Sequence, residues 1–242
     1  MGSQPLQAVH NVDIDIYPGE FVALVGRSGS GKTTLLNLLG GLDTPTSGHV
    51  LFEGQDLSSL LPPNLLELRR KKIGFVFQSF GLLPLLSSYE NVELPLRIIG
   101  ETRKNRQKRV EEVLEICDLH RKTSRRMIRT LSKGYRQRVG VADAILANPE
   151  VIILDEPTIG LDPHQVLMIR DLIDHLRGSM TVIISSHILA EVEVCCDRVI
   201  IINQGRVVAI GNAQSLRTEF AGEVIYLLSV RGNLQQLPEV LA

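Results

Sequence analysis

Gly26-Arg27-Ser28-Gly29-Ser30-Gly31-Lys32-Thr33-Thr34 is the stretch on which the reading of this chain turns. It fits the pattern G-x-x-x-x-G-K-[ST], and its surroundings agree with that pattern. Phe21–Val25 before it is a short apolar run that reads as a buried strand, and Thr33–Leu39 after it reads as the start of a helix. Glycine lets the backbone curl so that several N–H groups aim at one anion, and the helix N-terminus adds its dipole at the same spot. Gly26–Thr34 is therefore expected to bind phosphate. Lys32 should reach the β- and γ-phosphates of a nucleotide, and the Thr33 hydroxyl should ligate Mg²⁺.

Val151-Ile152-Ile153-Leu154-Asp155-Glu156 is the second strong signal, a buried strand ending in two adjacent acids. Adjacent residues on a strand point to opposite faces, so two separate jobs are expected. Asp155 would hold Mg²⁺, directly or through water, and Glu156 would polarise the attacking water as general base. A surface Asp-Glu turn before Pro157 would look the same in isolation. Lys32 upstream favours the catalytic reading.

The remaining elements follow from periodicity. Val12, Ile14 and Ile16 alternate with Asn11, Asp13 and Asp15, the pattern of a half-buried strand, and Tyr17-Pro18-Gly19-Glu20 turns it. His49–Phe52 reads as another short strand, so an antiparallel β portion is expected beside the nucleotide strand. Leu65, Leu66 and Leu68 suggest a short amphipathic helix. Ile73–Phe77 reads as a buried strand with Gln78 at its end. Ligands of α/β folds bind at the carboxyl ends of strands, which makes Gln78 a candidate for Mg²⁺ or the attacking water, against the default of a surface-loop amide. From Gly81 to Leu146 the helical period dominates. Ser87-x-x-Glu90 forms a capping box, Val110, Val113, Leu114 and Cys117 give an apolar face, and Ser132 caps a helix running to about Leu146. Asp162-Pro163 starts a further helix as N-cap and N1. Thr181–Ser185 is a β-branched strand leading to Ser186-His187. That histidine is a candidate donor to the γ-phosphate, against the commoner structural role. Arg198–Ile202 and Arg206–Ile210 form a hairpin around Asn203-Gln204-Gly205. Gly100–Arg106 reads as a loop, Gly222–Val230 as a last strand, and a weak helix follows from Asn233.

The 242 residues suffice for one large domain or two small ones, and 44% of them are hydrophobic. With 26 basic and 27 acidic residues the net charge is -1, a balance that argues against broad nucleic-acid binding. The basic runs Arg69–Lys72 and Arg103–Arg109 read as solvated helix faces. Three cysteines suit a reducing compartment and give no disulfide framework. Cys195 and Cys196 read as small buried helix residues rather than a redox or metal pair. No apolar run approaches the ~20 residues a bilayer crossing needs, so a partner must supply any membrane span.

Together these motifs resemble an ABC (ATP-binding cassette) transporter ATPase subunit. The match that carries the resemblance is Leu131-Ser132-Lys133-Gly134-Tyr135, followed by Arg136-Gln137-Arg138, which is similar to the family signature LSGGQ. The phosphate loop, Gln78, the signature, Asp155-Glu156, the Ile159–Asp162 turn and His187 all stand in the family's order, over about residues 8–215. The resemblance implies an α/β fold of the P-loop NTPase type: a parallel core, an antiparallel β subdomain and a helical subdomain inserted at about 83–147. Residues 1–215 would form the ATPase domain and 216–242 a C-terminal extension. It also implies ATP and Mg²⁺ as ligands. Two subunits, identical or different, would face each other head to tail, with Ser132, Lys133, Gly134 and Asp162 lent to the partner's nucleotide. A transmembrane permease would hold the pair at the inner face of the cell membrane, on the cytoplasmic side. The first half, including Asn91–Leu96, looks most like lipoprotein-release and macrolide-export ATPases, and the second half like multidrug or gliding-type exporters. Export is the direction this implies.

Three departures from the family pattern stand out. Lys133 and Tyr135 replace the usual Gly and Gln of the signature, while Ser132 and Gly134 remain; Lys133 is expected to add positive charge near the phosphate. The family's adenine-stacking aromatic has no counterpart in Met1–Gln7, and Tyr17 lies on a strand-turn junction. Weak, poorly base-selective ATP binding is the expectation. The segment from Gly222 looks like the start of an accessory domain that stops early, so the expectation is a chain cut short at both ends. Two other readings compete. A non-transport ABC ATPase acting on DNA or ribosomes would carry a long heptad insertion or a second cassette, and the sequence holds neither. A regulatory cassette without turnover sits badly with the retention of Glu156 and His187.

Overall fold

The computed structural model describes residues 7–119 and 121–220, without the side chains of residues 121 and 217–220. Its centre is a six-stranded sheet in the order β4-β5-β6-β1-β7-β8. The strands are β1 (Phe21–Val25), β4 (Ile73–Val76), β5 (Val151–Leu154), β6 (Thr181–Ser186), β7 (Arg198–Asn203) and β8 (Arg206–Gly211). All neighbours pair in parallel except β7 and β8, which form the antiparallel hairpin expected at Gln204-Gly205. Gln204 and Gly205 both take positive φ, 49 and 75°, as a tight two-residue turn between twisted strands requires. A second, two-stranded sheet pairs β2 (Leu51–Phe52) with β3 (Gln55–Asp56).

Parallel strands are covered on both faces, and this explains why β1, β4, β5 and β6 read as continuous apolar runs. Alternate residues of one strand enter different cores. Val22, Leu24, Ile153, Ile183 and Ile200 pack with Leu35 and Leu36 of α1 (Lys32–Leu39). Phe21, Ala23, Ile152, Leu154, Val182 and Ile184 pack on the other face. There they meet α7 (Pro163–Leu176) through Ile169, Ile173 and Leu176.

The helical block also joins that second core. It comprises α3 (Ser88–Ile98), α4 (Arg103–Ile116), α5 (Arg121–Ser124) and α6 (Lys133–Ala144). The face Val110, Val113, Leu114 and Cys117 is buried as the periodicity requires. Both hydrogen bonds of the Ser87–Glu90 capping box are present. Gly74 lets α6 close on β4, because a Cβ there would lie 2.4 Å from the Ala144 carbonyl oxygen. α2 (Pro62–Lys71) packs against β4. The short α8 (Leu189–Val192) follows β6, and α9 (Ala213–Phe220) docks Leu216 into the core shared by the helices and the sheet.

Several expectations need correction. Val12, Ile14 and Ile16 are half-buried against the α1 core and their neighbours exposed, yet the segment is not a strand: its side chains alternate without a ladder partner among the described residues. The strand at His49–Phe52 shrinks to Leu51–Phe52. The loop at Gly100–Arg106 ends at Thr102, whose hydroxyl accepts from the Asn105 N–H and starts α4. The run Arg103–Arg109 is not wholly a solvated face. Arg106 donates to Glu93, and Arg109 donates to the Ile145 and Leu146 carbonyls, closing the end of α6. The strand and helix expected beyond Gly222 lie outside the described residues.

Candidate active site

Strand register builds the site. Val25 pairs with Ser186, so β1 and β6 end together; Val76 pairs with Leu154 and Leu154 with Ile184, so β4 and β5 end together two residues short of them, on the same side of the sheet. Whatever follows each strand therefore gathers at one edge: the Gly26 loop, Gln78, Asp155-Glu156 and His187. This is the edge where open α/β sheets place ligands.

The loop itself has the shape of an anion cradle. Gly29 and Gly31 have φ of 77 and 103°. Gly31 is the N-cap of α1 and has no side chain to satisfy the first-turn N–H groups, which leaves them for a ligand. Gly26 is required by crowding, since a Cβ there would sit 2.3 Å from the Ile202 carbonyl oxygen. The Ser30 hydroxyl is buried without a partner among the described residues, another donor aimed at no protein group. Arg27 and Ser28 are exposed at the loop tip, and Thr34 is half-buried on α1.

Lys32 is 6% exposed and donates to the Gly26 carbonyl at 2.7 Å and the Arg27 carbonyl at 3.2 Å. Its ammonium also lies 3.2 Å from Glu156 Oε1. The other Glu156 oxygen, Oε2, is 2.8 Å from His187 Nδ1. An ionised carboxylate only accepts, so Nδ1 carries the proton of that pair. For Nε2 then to donate to a phosphate oxygen, the ring must hold both protons. Asp155, 3% exposed, accepts from Thr33 Oγ1 at 2.9 Å and from Ser185 Oγ at 2.7 Å. Thr33 and Asp155 thus offer adjacent hard oxygens, the donor set Mg²⁺ favours.

The two acids do diverge, for a reason other than the expected strand pleat. Both lie beyond β5, and Glu156 takes a left-handed φ of 48° that swings its side chain toward Lys32 and His187. Sequence reasoning missed Ser185, whose hydroxyl also accepts the Glu156 N–H at 2.8 Å. It missed Thr158 as well, which donates to Glu191 at 2.6 Å and ties the turn after Glu156 to α8. A small hydroxyl inside a β-branched strand carries no signal until its neighbours are known.

The structure thus brings Lys32, Thr33, Asp155, Glu156 and His187 together. Gln78 stands exposed two residues past β4. The signature residues sit elsewhere. Ser132 caps α6, accepting from the Tyr135 N–H at 3.4 Å, and Asp162 caps α7, accepting from the Gln165 N–H at 3.0 Å. The two helix tips share a cavity of about 300 Å³ lined by Ser132, Gly134, Tyr135, His164 and Gln165 among others. The Gln165 side chain packs over Gly134, where a Cβ would lie 2.4 Å from Gln165 Oε1 and push that side chain aside. Tyr135 stacks under Arg138, its ring centroid 4.4 Å from Cζ. The Lys133 ammonium lies over the turn before α7, 2.7 Å from where a Gly160 Cβ would be. Tyr17 is 62% exposed and sits 5.8 Å from the Arg198 guanidinium carbon.

A phosphate cradle, a hydroxyl–carboxylate pair and a buried glutamate at one sheet edge define a P-loop ATPase site, in which ATP and Mg²⁺ are the ligands. The chain belongs to the ABC transporter family, whose model matches residues 9–159, and it is an ATP-binding, ATP-hydrolysing subunit. It is 39% identical over 214 residues to the ABC transporter ATP-binding protein YknY of Bacillus subtilis, covering 88% of this chain and 93% of that protein. The methionine import ATP-binding protein MetN of Carboxydothermus hydrogenoformans is 41% identical over 212 residues, 87% of this chain and 62% of that one. The macrolide export ATP-binding/permease protein MacB of Brucella melitensis is 39% identical over 219 residues, 90% of this chain but 33% of that longer protein. Among solved structures, the ATP-binding cassette MJ0796, a dimer in a post-hydrolysis state bound to ADP and Pi, superposes with a TM-score of 0.80 at 38% identity. That match covers 88% of this chain and 94% of that one.

Proposed function

We propose that two copies of this cassette, or this chain and a similar one, close on ATP and drive a separate membrane permease, in the direction of export. The observation that carries the reading is the separation within one chain of two half-sites. The cradle, Thr33, Asp155 and Glu156 share one sheet edge, while Ser132 and Gly134 form a helix tip beside α7 with no contact to the cradle among the described residues. A helix N-terminus attracts anions, and this one stands apart from the chain's own cradle, which suits a neighbour's phosphate. Domain 1–215, with the helical part at 83–147, would act as the moving unit.

In this reading Lys32 releases the Gly26 and Arg27 carbonyls to hold the β- and γ-phosphate oxygens, and the Gly26–Thr34 amides hold the rest. Thr33, Asp155 and Gln78 would hold Mg²⁺, which would offset the negative charge of the phosphates. Glu156 takes the proton of the attacking water, and His187 keeps that carboxylate oriented. Ser132, Lys133 and Gly134 close the site from the neighbour, with Asp162 fixing the helix beside them. The similarity to MacB and the Asn91–Leu96 segment support export; the comparable identity to MetN supports the coarser assignment of transport. No described helix is long and apolar enough to cross a membrane, so a permease would have to provide the span.

Mixing two disabled variants tests the composite site. Lys32→Ala spoils the cradle and Ser132→Arg blocks the helix tip. Each alone should hydrolyse ATP at under a tenth of the normal rate. An equimolar mixture should recover a substantial fraction, because mixed dimers contain one intact site. A mixture no more active than its parts, with specific activity independent of protein concentration, would overturn the two-copy reading.

A further inference from the structure

Ser185 occupies a position that no motif assigns. It is the fifth residue of β6 and has no exposed surface. The β5–β6 ladder ends at the Leu154–Ile184 pair. One residue further on, β5 turns away, and the Ser185 side chain takes over the bonding. Its hydroxyl donates to Asp155 Oδ1 at 2.7 Å and accepts from the Glu156 N–H at 2.8 Å. Asp155 Oδ2 is held by Thr33 at 2.9 Å, so the carboxylate is fixed at both oxygens. Glu156 is held in a left-handed conformation that a non-glycine residue adopts at a cost unless its surroundings impose it.

We propose that Ser185 is a positioning residue of the ATPase site. One hydroxyl sets the orientation of the carboxylate that would hold the metal and the backbone of the glutamate that would take the water's proton. A hydroxyl has one proton to give and lone pairs to receive, so it can do both at once. Alanine does neither: it frees one Asp155 oxygen and leaves the Glu156 N–H buried without a partner. The inference rests on the roles given to Asp155 and Glu156. Glu156→Gln measured alongside separates failure of those roles from failure of this one.

The test compares Ser185→Ala, Ser185→Thr and Ser185→Cys in the full chain. Ser185→Ala should lower kcat at least tenfold with KM for ATP changed less than threefold. It should also raise the Mg²⁺ concentration for half-maximal binding of a fluorescent ATP analogue several-fold. Without nucleotide, the amides of the segment 151–158 should exchange hydrogen faster. Ser185→Thr keeps the hydroxyl and should restore kcat and the Mg²⁺ midpoint to within threefold. If Ser185→Ala does not fold, Ser185→Cys, with a similar shape and a weak donor, should show the same split in smaller degree. Ser185→Ala or Ser185→Cys with normal kcat, Mg²⁺ midpoint and exchange, while Glu156→Gln abolishes turnover, would overturn the inference. A loss that Ser185→Thr does not rescue would also overturn it.

Discussion

Asp143 shows how much one side chain's surroundings matter. It is half-buried on α6, with its carboxyl turned into an apolar groove lined by Phe75, Leu94 and Pro95 among others. Burial alone pushes its carboxyl up from the ordinary 3.8 to about 6. A folded-state value above the unfolded one means that the native protein holds this proton longer than the unfolded chain. Stability from this group is therefore full below about pH 4 and is lost as pH rises through about 6. At about 1.4 kcal/mol per unit, the loss above that window is at most roughly 3 kcal/mol. Asp143→Asn should unfold at a higher temperature than the parent at pH 7.5 and lose that advantage near pH 4. Thermal unfolding of the pair across that range checks it. Nothing in the sequence marks Asp143 as different from the acids of the exposed helix faces. Glu53 and Glu67, which face water beside lysines, are lowered instead.

At the scale of elements, the ends of helices were easier to read than the strands outside the central sheet. Ser87, Ser132 and Asp162 each cap a helix where the sequence placed one, because a short side-chain oxygen before an apolar period has a local job that distant contacts do not alter. Ser87→Ala removes both the acceptor for the Glu90 N–H and the hydroxyl partner of the Glu90 carboxylate. It should cost about 1 kcal/mol, measured by chemical denaturation, with ATP turnover unchanged. The segment at Val12–Ile16 failed for the opposite reason. Alternation reports which side chains are covered, and these are covered by the α1 core. A strand also needs a backbone partner, which no local pattern supplies.

For the whole molecule, the expected consequence of two half-sites is association driven by ATP. Glu156→Gln preserves the carboxylate's shape but removes its basicity, so ATP should persist at the site. In Mg²⁺ and ATP this variant should run at twice the monomer mass by light scattering, and ADP should return it to the monomer. Adding Ser132→Arg to it should leave it monomeric with either nucleotide. Association that ignores the nucleotide, or that survives Ser132→Arg, would contradict the proposed cycle.

The sequence by itself determined the central sheet, the loop at Gly26–Thr34 and the acid pair. Buried parallel strands must be apolar throughout, and phosphate chemistry demands fixed residue types at fixed spacing. It also identified the family, through motifs kept in order along the chain. Only the tertiary structure decided how those motifs meet. The parallel strands β1, β5 and β6, ending within two residues of one another, bring Lys32, Asp155 and His187 to one edge. The turn of the backbone at Glu156 aims that acid away from Asp155, and the Ser185 hydroxyl takes up the bonding where the ladder stops. Each of these depends on contacts between residues tens of positions apart, which a local pattern cannot encode.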